Sequence, residues 1–266
     1  MPKHLVNGQP DAFVESSDRG LLYGDGFFTT IRIRNAQIEH WPLHIERINS
    51  SSAKLKFPAV DVGLVEREIH ELVASQVEKD GVIRLTITRG SGLRGYKAPS
   101  NPKLNRIASW SPFVPPGKLK DGVELSICGT PYSKNSALAG IKHLNRLEQV
   151  LAQEEIPQSC FDGIMLADDL IIGGSKTNIF FCNNGKWFTP SLLRAGVNGT
   201  VRRWLLNTQG NIAPSQFGLE ILSEAEFCMV TNALNGLIPV TKIGQHRYDV
   251  YPGIADLNTQ YQQSSN

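Results

Sequence analysis

Alternation of apolar and polar side chains predicts strands in the N-terminal part of the chain. Phe27 to Arg34 alternates in this way after a glycine-rich turn, and Val82 to Thr88 repeats the pattern. A period of two residues is typical of a strand with one buried face. Ile107 to Phe113 is also strand-like, whereas Gly90 to Pro102 is rich in Gly, Ser and Pro. We therefore predict three strands here, with a loop between the second and the third.

Apolar residues with helical spacing predict helices between and after these strands. Asn145 can cap the second helix, because a short polar side chain accepts the first amide hydrogens of a helix. The predicted helices are Val65 to Val77, a helix from just after Lys142 to about Glu155, Thr200 to Leu206, and Ile254 to Gln263.

Short strands fill most of the remaining chain and decide the fold class. They are mixed with fewer helices and form no regular βαβ array, which indicates an α+β fold. Pro115-Pro116-Gly117-Lys118 is the best candidate linker, so we expect domains at 1–115 and 122–266 with a linker at 116–121. The further predicted strands are Val123 to Cys128, Gly163 to Leu166, Leu170 to Ile172, Ile179 to Cys182, Trp187-Phe188 and Phe227 to Val230.

Composition excludes several classes of function. The 266 residues are 41% hydrophobic and 20% charged with a net charge of +2, which gives no electrostatic reason to expect nucleic acid or an anionic membrane as partner. No apolar run approaches the roughly 20 residues that span a bilayer, and the N-terminus lacks a signal-peptide pattern. The four cysteines form no CxxC motif. We expect reduced cysteines, a cytoplasmic location and no metal site.

Four side chains and one helix start could form a binding site for a phosphorylated aldehyde and a carboxylate-bearing amine. Lys142 stands at the mouth of a predicted helix, and Arg47 lies on another with His44 one turn earlier. Arg94 and Tyr96 share a loop and could bind a carboxylate, although that segment alone favours a solvated arginine and a packing tyrosine. A surface pair is likewise the common alternative for Arg47. Gly199-Thr200 opens a helix whose amides could bind phosphate, as most helix starts could.

Together these segments resemble the fold-type IV pyridoxal-phosphate enzymes, and within that family they are most similar to 4-amino-4-deoxychorismate lyases. The resemblance runs from Asn7-Gly8 to Ile238-Pro239-Val240, nearly the whole chain. It implies a small N-terminal α/β domain, a C-terminal pseudobarrel α/β domain and a homodimer. The motifs are Gly24-Asp25-Gly26 with Phe28-Thr29-Thr30, Arg89-Gly90-Ser91-Gly92 to Arg94-Gly95-Tyr96, Leu138 to Val150, Ala195-Gly196-Val197-Asn198-Gly199 and Asn232-Ala233-Leu234.

The resemblance also implies roles for particular residues. Lys142 would be the Schiff-base lysine and proton shuttle, and the cofactor would be pyridoxal 5'-phosphate. Its phosphate would be bound by Arg47, Thr200, Val201, and the backbone amides of Ala233 and Leu234. Substrate would contact Phe28 and Thr30, and its carboxylate would meet Arg94 and Tyr96 on a loop that reaches in from the neighbouring subunit.

One position departs from the family pattern. Members of the family carry a glutamate against the pyridine nitrogen, and Gly173 occupies that position here. Without a carboxylate the ring is a weaker electron sink. We expect a lyase that converts 4-amino-4-deoxychorismate to 4-aminobenzoate and pyruvate for folate synthesis, since aromatisation drives that reaction. The alternatives are a D- or branched-chain amino acid aminotransferase of the same fold, or a weakly active homologue that binds the cofactor.

Overall fold

The computed structural model describes residues 3–10, 12–117 and 119–265. Lys118 of the expected linker lies outside the described residues. The chain forms two compact units. The first unit contains the chain up to Val114 together with Ile141–Asn145, and the second contains Pro115–Gly140 and Arg146–Ser265. The short segment Ile141–Asn145 thus belongs to the first unit although it lies within the sequence of the second. The domain bounds expected from the sequence, 1–115 and 122–266, remain a prediction.

An antiparallel sheet forms the centre of the first unit. In the described residues its strand order is β2-β1-β6-β5-β3-β4. The alternation predicted from the sequence is present, since Ile31, Ile33, Ile83 and Leu85 are buried on one face. The strands are β1 His4–Val6, β2 Gln9–Pro10, β3 Gly26–Arg34, β4 Gln37–Ile38, β5 Gly81–Thr88 and β6 Asn105–Pro112.

Three helices accompany this sheet: α1 at Arg19–Tyr23, α2 at Trp41–Lys54 and α3 at Val62–Ala74. Asp61 caps α3 by accepting the Leu64 amide hydrogen at 2.9 Å. The predicted extent of this helix to Val77 is wrong. The helix ends at Ala74, and Val77 is 73% exposed, so its apolar side chain is not part of the buried stripe.

A mixed sheet forms the centre of the second unit, with the order β12-β11-β10-β13-β14-β7-β8-β9 and β15 paired to β14. With four helices beside it, this arrangement confirms the α+β fold class. The strands are β7 Val123–Ile127, β8 Asp162–Ala167, β9 Leu170–Gly174, β10 Asn178–Asn183, β11 Lys186–Pro190, β12 Ile212–Ser215, β13 Phe227–Asn232, β14 Gly236–Ile243 and β15 His246–Arg247. The helices are α4 Leu147–Glu155, α5 Thr200–Thr208, α6 Ile221–Glu224 and α7 Ile254–Gln263.

Strand β14 was not predicted from the sequence although it is buried in the middle of the sheet. It contains Pro239, and a proline argues against a central strand because it cannot donate to the ladder. The register between β14 and β7 shifts between Val240 and Lys242, next to this proline. Pro239 itself pairs with Met229 of β13 and lies just before Val240, the first residue of β14 that pairs with β7. Among the described residues, no helix has the length and apolar character needed to cross a membrane.

Candidate active site

Lys142 is held by backbone hydrogen bonds to the first residues of β3. The amide of Phe28 donates to the Lys142 carbonyl at 2.9 Å, and the amide of Leu144 donates to the Gly26 carbonyl at 3.0 Å. The Lys142 Nζ lies 4.6 Å from the centroid of the Phe28 ring. A cation over an aromatic face is favourable, so the side chain has a preferred position as well as a fixed backbone.

The predicted cap at Asn145 is wrong. Helix α4 begins at Leu147 with Arg146 as its N-cap residue, and no side chain of the described residues caps it. Asn145 instead donates through Nδ2 to the Gly24 carbonyl at 3.4 Å. Gly24 closes α1 with a φ of 64°, a conformation that favours glycine. The asparagine thus fastens the lysine segment to the first unit.

Phe28 is buried and Thr30 is half-buried on β3. Because side chains alternate along a strand, the two share one face of β3. The guanidinium of Arg84 lies 3.8 Å from the centroid of the Phe28 ring, and Arg84 pairs with Thr30 across the sheet. Burial lowers the pKa of Arg84 from its ordinary value. The structure therefore places the predicted residues Lys142, Phe28 and Thr30 on neighbouring positions, with a second cation over the same ring.

Arg47 is buried and lies on α2, so the alternative of a surface pair with His44 is wrong. Its Nη1 donates to Thr29 Oγ1 at 3.2 Å, and the same oxygen lies 2.7 Å from His44 Nδ1. Thr29 is on the opposite face of β3 from Phe28. The sequence analysis assigned no role to Thr29, because alternation places it opposite Phe28 but does not show that Arg47 lies on that face. A buried guanidinium fixed in this way suits a phosphate dianion.

Arg94 and Tyr96 lie on an exposed loop, which we call the Arg94 loop (residues 91–97). Tyr96 is 87% exposed, and its ring makes an edge contact with the Tyr23 ring at a centroid distance of 5.5 Å. Arg94 is exposed. Both side chains are largely exposed, so their positions depend mainly on the backbone of the loop.

An ion-pair network that the sequence did not reveal lies beneath this loop. Asp25 Oδ2 accepts from Arg19 Nε and from Arg89 Nε, each at 2.8 Å. Arg19 also donates to the carbonyls of Gly95 at 2.9 Å and Tyr96 at 2.8 Å. Burial alone would raise the pKa of the Asp25 carboxyl, but the hydrogen bonds and charges of Arg89 and Arg19 outweigh it and lower that pKa.

In the second unit, Thr200 and Val201 are the first residues of α5, and both are buried. Asn178 orients this helix start by donating to the Val197 carbonyl at 2.8 Å and accepting from the Gly199 amide at 3.2 Å. The Thr200 hydroxyl is buried and has no hydrogen-bond partner in the described part of the chain. A buried unpaired hydroxyl at a helix N-terminus fits an oxygen of a phosphate group.

Arg202 adds a buried positive charge to the first turn of α5. It donates to Asn198 Oδ1 and to the Pro190 carbonyl, each at 3.0 Å. Burial, with the neighbouring charge of Arg203, lowers the pKa of Arg202 to about 10, so the side chain remains cationic at neutral pH. This charge and the helix dipole act in the same direction on an anion at this helix end.

Ala233 and Leu234 form the turn between β13 and β14. The Leu234 amide donates to Asn232 Oδ1 at 3.0 Å, so in this structure that amide already has an acceptor. The hydroxyl of Thr231, two residues before this turn, is buried and unpaired within the described residues. The second unit therefore contains two buried hydroxyls, on Thr200 and Thr231, that a phosphate could satisfy.

Gly173 lies in β9 with a φ of +153°, a conformation that L residues rarely adopt. The register between β8 and β9 shifts there, with Met165 opposite Gly173 and Leu166 opposite Ile171, so Ile172 is an extra residue on β9. Asp168 and Asp169 form the turn of this hairpin with φ values of 48° and 61°. Both are exposed, and Asp168 forms an ion pair with Lys134.

Comparisons with known proteins agree with the resemblance. The amino-transferase class IV family matches residues 26–243. Aminodeoxychorismate lyase of Vibrio harveyi is 35% identical over 250 residues, 90% of each chain. The crystal structure of 4-amino-4-deoxychorismate lyase from Pseudomonas aeruginosa superposes with a TM-score of 0.91 and 32% identity, covering 98% of each chain. D-alanine aminotransferase of Staphylococcus epidermidis is 26% identical, covering 91% of this chain and 89% of its own. The chain belongs to the class IV aminotransferase family.

Proposed function

We propose that the protein is a pyridoxal-phosphate-dependent lyase that converts 4-amino-4-deoxychorismate to 4-aminobenzoate and pyruvate, a step towards folate. The two lyases described above, at 35% and 32% identity over nearly the whole chain, support this function. The observation that carries it is Lys142, whose backbone is fixed against β3 and whose Nζ lies over the Phe28 ring.

The cofactor would be bound through its carbonyl carbon and through its phosphate. Lys142 Nζ would bind its carbonyl carbon, and Arg47 would contact its phosphate. Thr200 and Val201 at the start of α5 would supply further phosphate contacts, supported by the unpaired Thr200 hydroxyl. Ala233 and Leu234 would contribute backbone amides, which for Leu234 requires exchange of its present bond to Asn232.

When bound, pyridoxal phosphate supplies an electrophilic carbon and an electron-withdrawing ring. The chain supplies the proton transfers and the orientation. With the substrate bound, the free Lys142 amine would accept the proton from the substrate carbon that bears the amino group. The enolpyruvyl group then leaves with its ether oxygen, and it becomes pyruvate on protonation. The six-membered ring of the substrate becomes aromatic, which makes the reaction favourable even where Gly173 provides no carboxylate.

Substrate binding would use the two sets of residues on the first unit. Phe28 and Thr30 would border the substrate ring, and the Arg84 cation over Phe28 adds positive potential there. Arg94 and Tyr96 would bind a substrate carboxylate through a charge-assisted bond and a phenolic hydrogen bond. The substrate is a small molecule that bears two carboxylates, in keeping with this cationic site.

We also propose that the enzyme acts as a homodimer in the cytoplasm. The Arg94 loop is exposed in the single chain, with Leu93 91% exposed and Tyr96 87% exposed, which supports its use by a second copy. The four cysteines form no disulfide with one another, which supports a reducing compartment.

The deciding experiment measures pyruvate release from 4-amino-4-deoxychorismate by the enzyme loaded with cofactor. Stoichiometric pyruvate and 4-aminobenzoate are expected. An aminotransferase would instead change the cofactor spectrum with D- or L-amino acids and release no pyruvate from this substrate. The aminotransferase relatives make this the second candidate. The third alternative, which Gly173 suggests, is a protein that binds the cofactor without turnover. It would neither release pyruvate nor change the cofactor spectrum with amino acids.

A further inference from the structure

We infer that Asp25 is a positioning residue that sets the backbone of the Arg94 loop through Arg19 and anchors it to the end of α2 through Arg89. The inference rests on the proposed function, since it assigns Asp25 a part in substrate binding. Asp25 itself touches neither Arg94 nor the Tyr96 side chain in the described contacts. Its effect is transmitted through two buried guanidinium groups.

The first step is the shared carboxylate oxygen. Asp25 Oδ2 accepts from the Nε of both Arg19 and Arg89 at 2.8 Å. The side chains of Arg19 and Arg89 are only 4% and 10% exposed, and that of Asp25 is 16% exposed. Two desolvated cations held by one carboxylate cannot both keep these positions without it, because each would lose its counter-charge.

The second step is the set of hydrogen bonds from Arg19 to the backbone of the Arg94 loop. Its Nη1 donates to the Gly95 carbonyl at 2.9 Å and to the Lys97 carbonyl at 3.4 Å, and its Nη2 donates to the Tyr96 carbonyl at 2.8 Å. Three consecutive carbonyls converge on one planar guanidinium. This geometry fixes the chain on both sides of Tyr96 and directly after Arg94.

The third step is the anchor on α2. Arg89 donates to the carbonyls of Leu55 at 2.9 Å and Lys56 at 3.0 Å. Helix α2 ends at Lys54, so these carbonyls lie at its C-terminus, where a cation is favourable. Arg47, the proposed phosphate residue, is on the same helix. One carboxylate therefore ties the loop proposed for the substrate carboxylate to the helix proposed for the cofactor phosphate.

The test compares Asp25→Asn, which keeps the shape and removes the charge, with the unchanged enzyme in the cofactor-loaded state. Trypsin can cleave after Arg94 and Lys97, and we expect cleavage there to be about tenfold faster in the variant, as for loss of one charge-assisted hydrogen bond. We expect KM for 4-amino-4-deoxychorismate to rise by a similar factor while kcat and the bound cofactor change little.

Glu68→Gln is the matched control. Glu68 forms an ion pair of comparable burial with Arg106 at 2.6 Å, joining α3 to β6, and makes no hydrogen bond to the Arg94 loop among the described contacts. It should leave the loop cleavage and KM unchanged. Arg19→Lys is the second variant: it keeps the charge, but the three donors of an ammonium cannot replace the four hydrogen bonds that Arg19 makes to Asp25 and the three carbonyls, so it should show the same pattern.

Each outcome decides the inference. Unchanged cleavage after Arg94 and Lys97 in both variants overturns it, whatever the enzyme does with substrate. Faster cleavage with an unchanged KM also overturns it, since the tether would then have no part in binding. If Asp25→Asn and Arg19→Lys both fail to fold while Glu68→Gln folds, the network is required for folding and the inference is wrong. Absence of pyruvate release from the unchanged enzyme defeats the proposed function instead, and the cleavage result still reports the tether.

Discussion

The carbonyl of Lys142 accepts the amide hydrogen of Phe28 at 2.9 Å, and the Lys142 ammonium lies 4.6 Å from the centre of the Phe28 ring. One residue of β3 thus fixes both ends of the lysine. A side chain on a mobile loop would lose conformational entropy each time it binds a ligand. The Lys142 side chain already has a preferred position in the folded protein, so it would lose less entropy on binding. This arrangement favours the covalent role that we propose for Lys142.

We expect borohydride reduction of the cofactor-loaded enzyme, followed by peptide mapping, to label Lys142. Lys142→Ala should remove the label and lower kcat by about 10²–10⁴, the usual contribution of a proton-transferring residue. Lys176→Ala is the matched control, because the Nζ of Lys176 also lies over an aromatic ring, that of Phe161, at 4.6 Å. A label on Lys176 would contradict the assignment.

Arg47 and Arg94 should separate cofactor binding from substrate binding. Arg47→Ala should weaken cofactor retention, measured by dialysis and absorbance. Arg94→Ala should keep the cofactor and lower kcat/KM by an amount equivalent to about 1.5–3 kcal/mol, the range for a hydrogen bond to a charged group. Equal loss of cofactor from both variants would refute this division.

Complementation between two impaired variants should test for the homodimer. If the Arg94 loop serves the neighbouring subunit, co-expressed Lys142→Ala and Arg94→Ala chains form hybrids with one intact site. Random pairing makes half of the dimers hybrids, so the mixture should show about a quarter of full activity. Each variant alone is the control. No recovery in purified hybrid dimers would show that each loop serves its own chain.

Replacement of Gly173 should separate backbone strain from charge. Both Gly173→Ala and Gly173→Glu place a side chain at a φ of +153° with a Cβ only 3.1 Å from the Thr177 carbonyl. Each should lose about 1–3 kcal/mol in stability by urea unfolding. Only the glutamate can favour a protonated pyridine ring, so transamination of D- or L-amino acids should increase in Gly173→Glu relative to Gly173→Ala. Equal transamination in the two variants would mean that position 173 does not act on the ring.

His40 should make the fold sensitive to acid. Burial, with a smaller effect from Arg34, lowers the pKa of His40 from 6.5 to about 4. Between these values the unfolded chain binds a proton that the folded chain does not. Stability should therefore fall as the pH is lowered from 6.5 to 4, by up to about 3 kcal/mol from this residue.

The measurement for His40 is urea unfolding at pH 7 and pH 4.5. His40→Asn removes the titrating ring and tolerates the left-handed φ of 52°, so it should lose less stability over this interval than the unchanged protein. His70→Asn, at an exposed position of α3, is the matched control. An identical pH dependence in His40→Asn and the unchanged protein would rule out this source of acid sensitivity.

Local periodicity predicted much of the fold. The alternation of Phe27 to Arg34 and Val82 to Thr88 became β3 and β5, and the helix predicted at Ile254 to Gln263 has those bounds. The predictions failed at positions where the usual preference of one residue type did not match its place in the fold. The buried strand β14 was not predicted, and it contains Pro239, a residue that argues against a central strand. Asn145 is a residue type that often caps helices, but its side chain donates to the Gly24 carbonyl instead. Cap propensity does not reveal a competing partner that is distant in the sequence.

The candidate site was predictable only in part for the same reason. Lys142, Arg47 and the start of α5 stand in recognisable motifs. The role of Thr29 follows from strand alternation only once Arg47 is known to lie on that face. The carboxylate of Asp25 joins Arg19 to Arg89, and no spacing rule connects these positions. Such contacts depend on the completed tertiary fold.

Because Ile141–Asn145 belongs to the first unit, the two units cannot be exchanged between related proteins by a single genetic recombination. The chain passes between the units after Val114, after Gly140 and after Asn145, so neither unit is a continuous segment. A single genetic crossover near residue 115 would give Lys142 from one parent and Phe28 from the other. The two halves are therefore not interchangeable modules, and the lysine and the strand that holds it must change together.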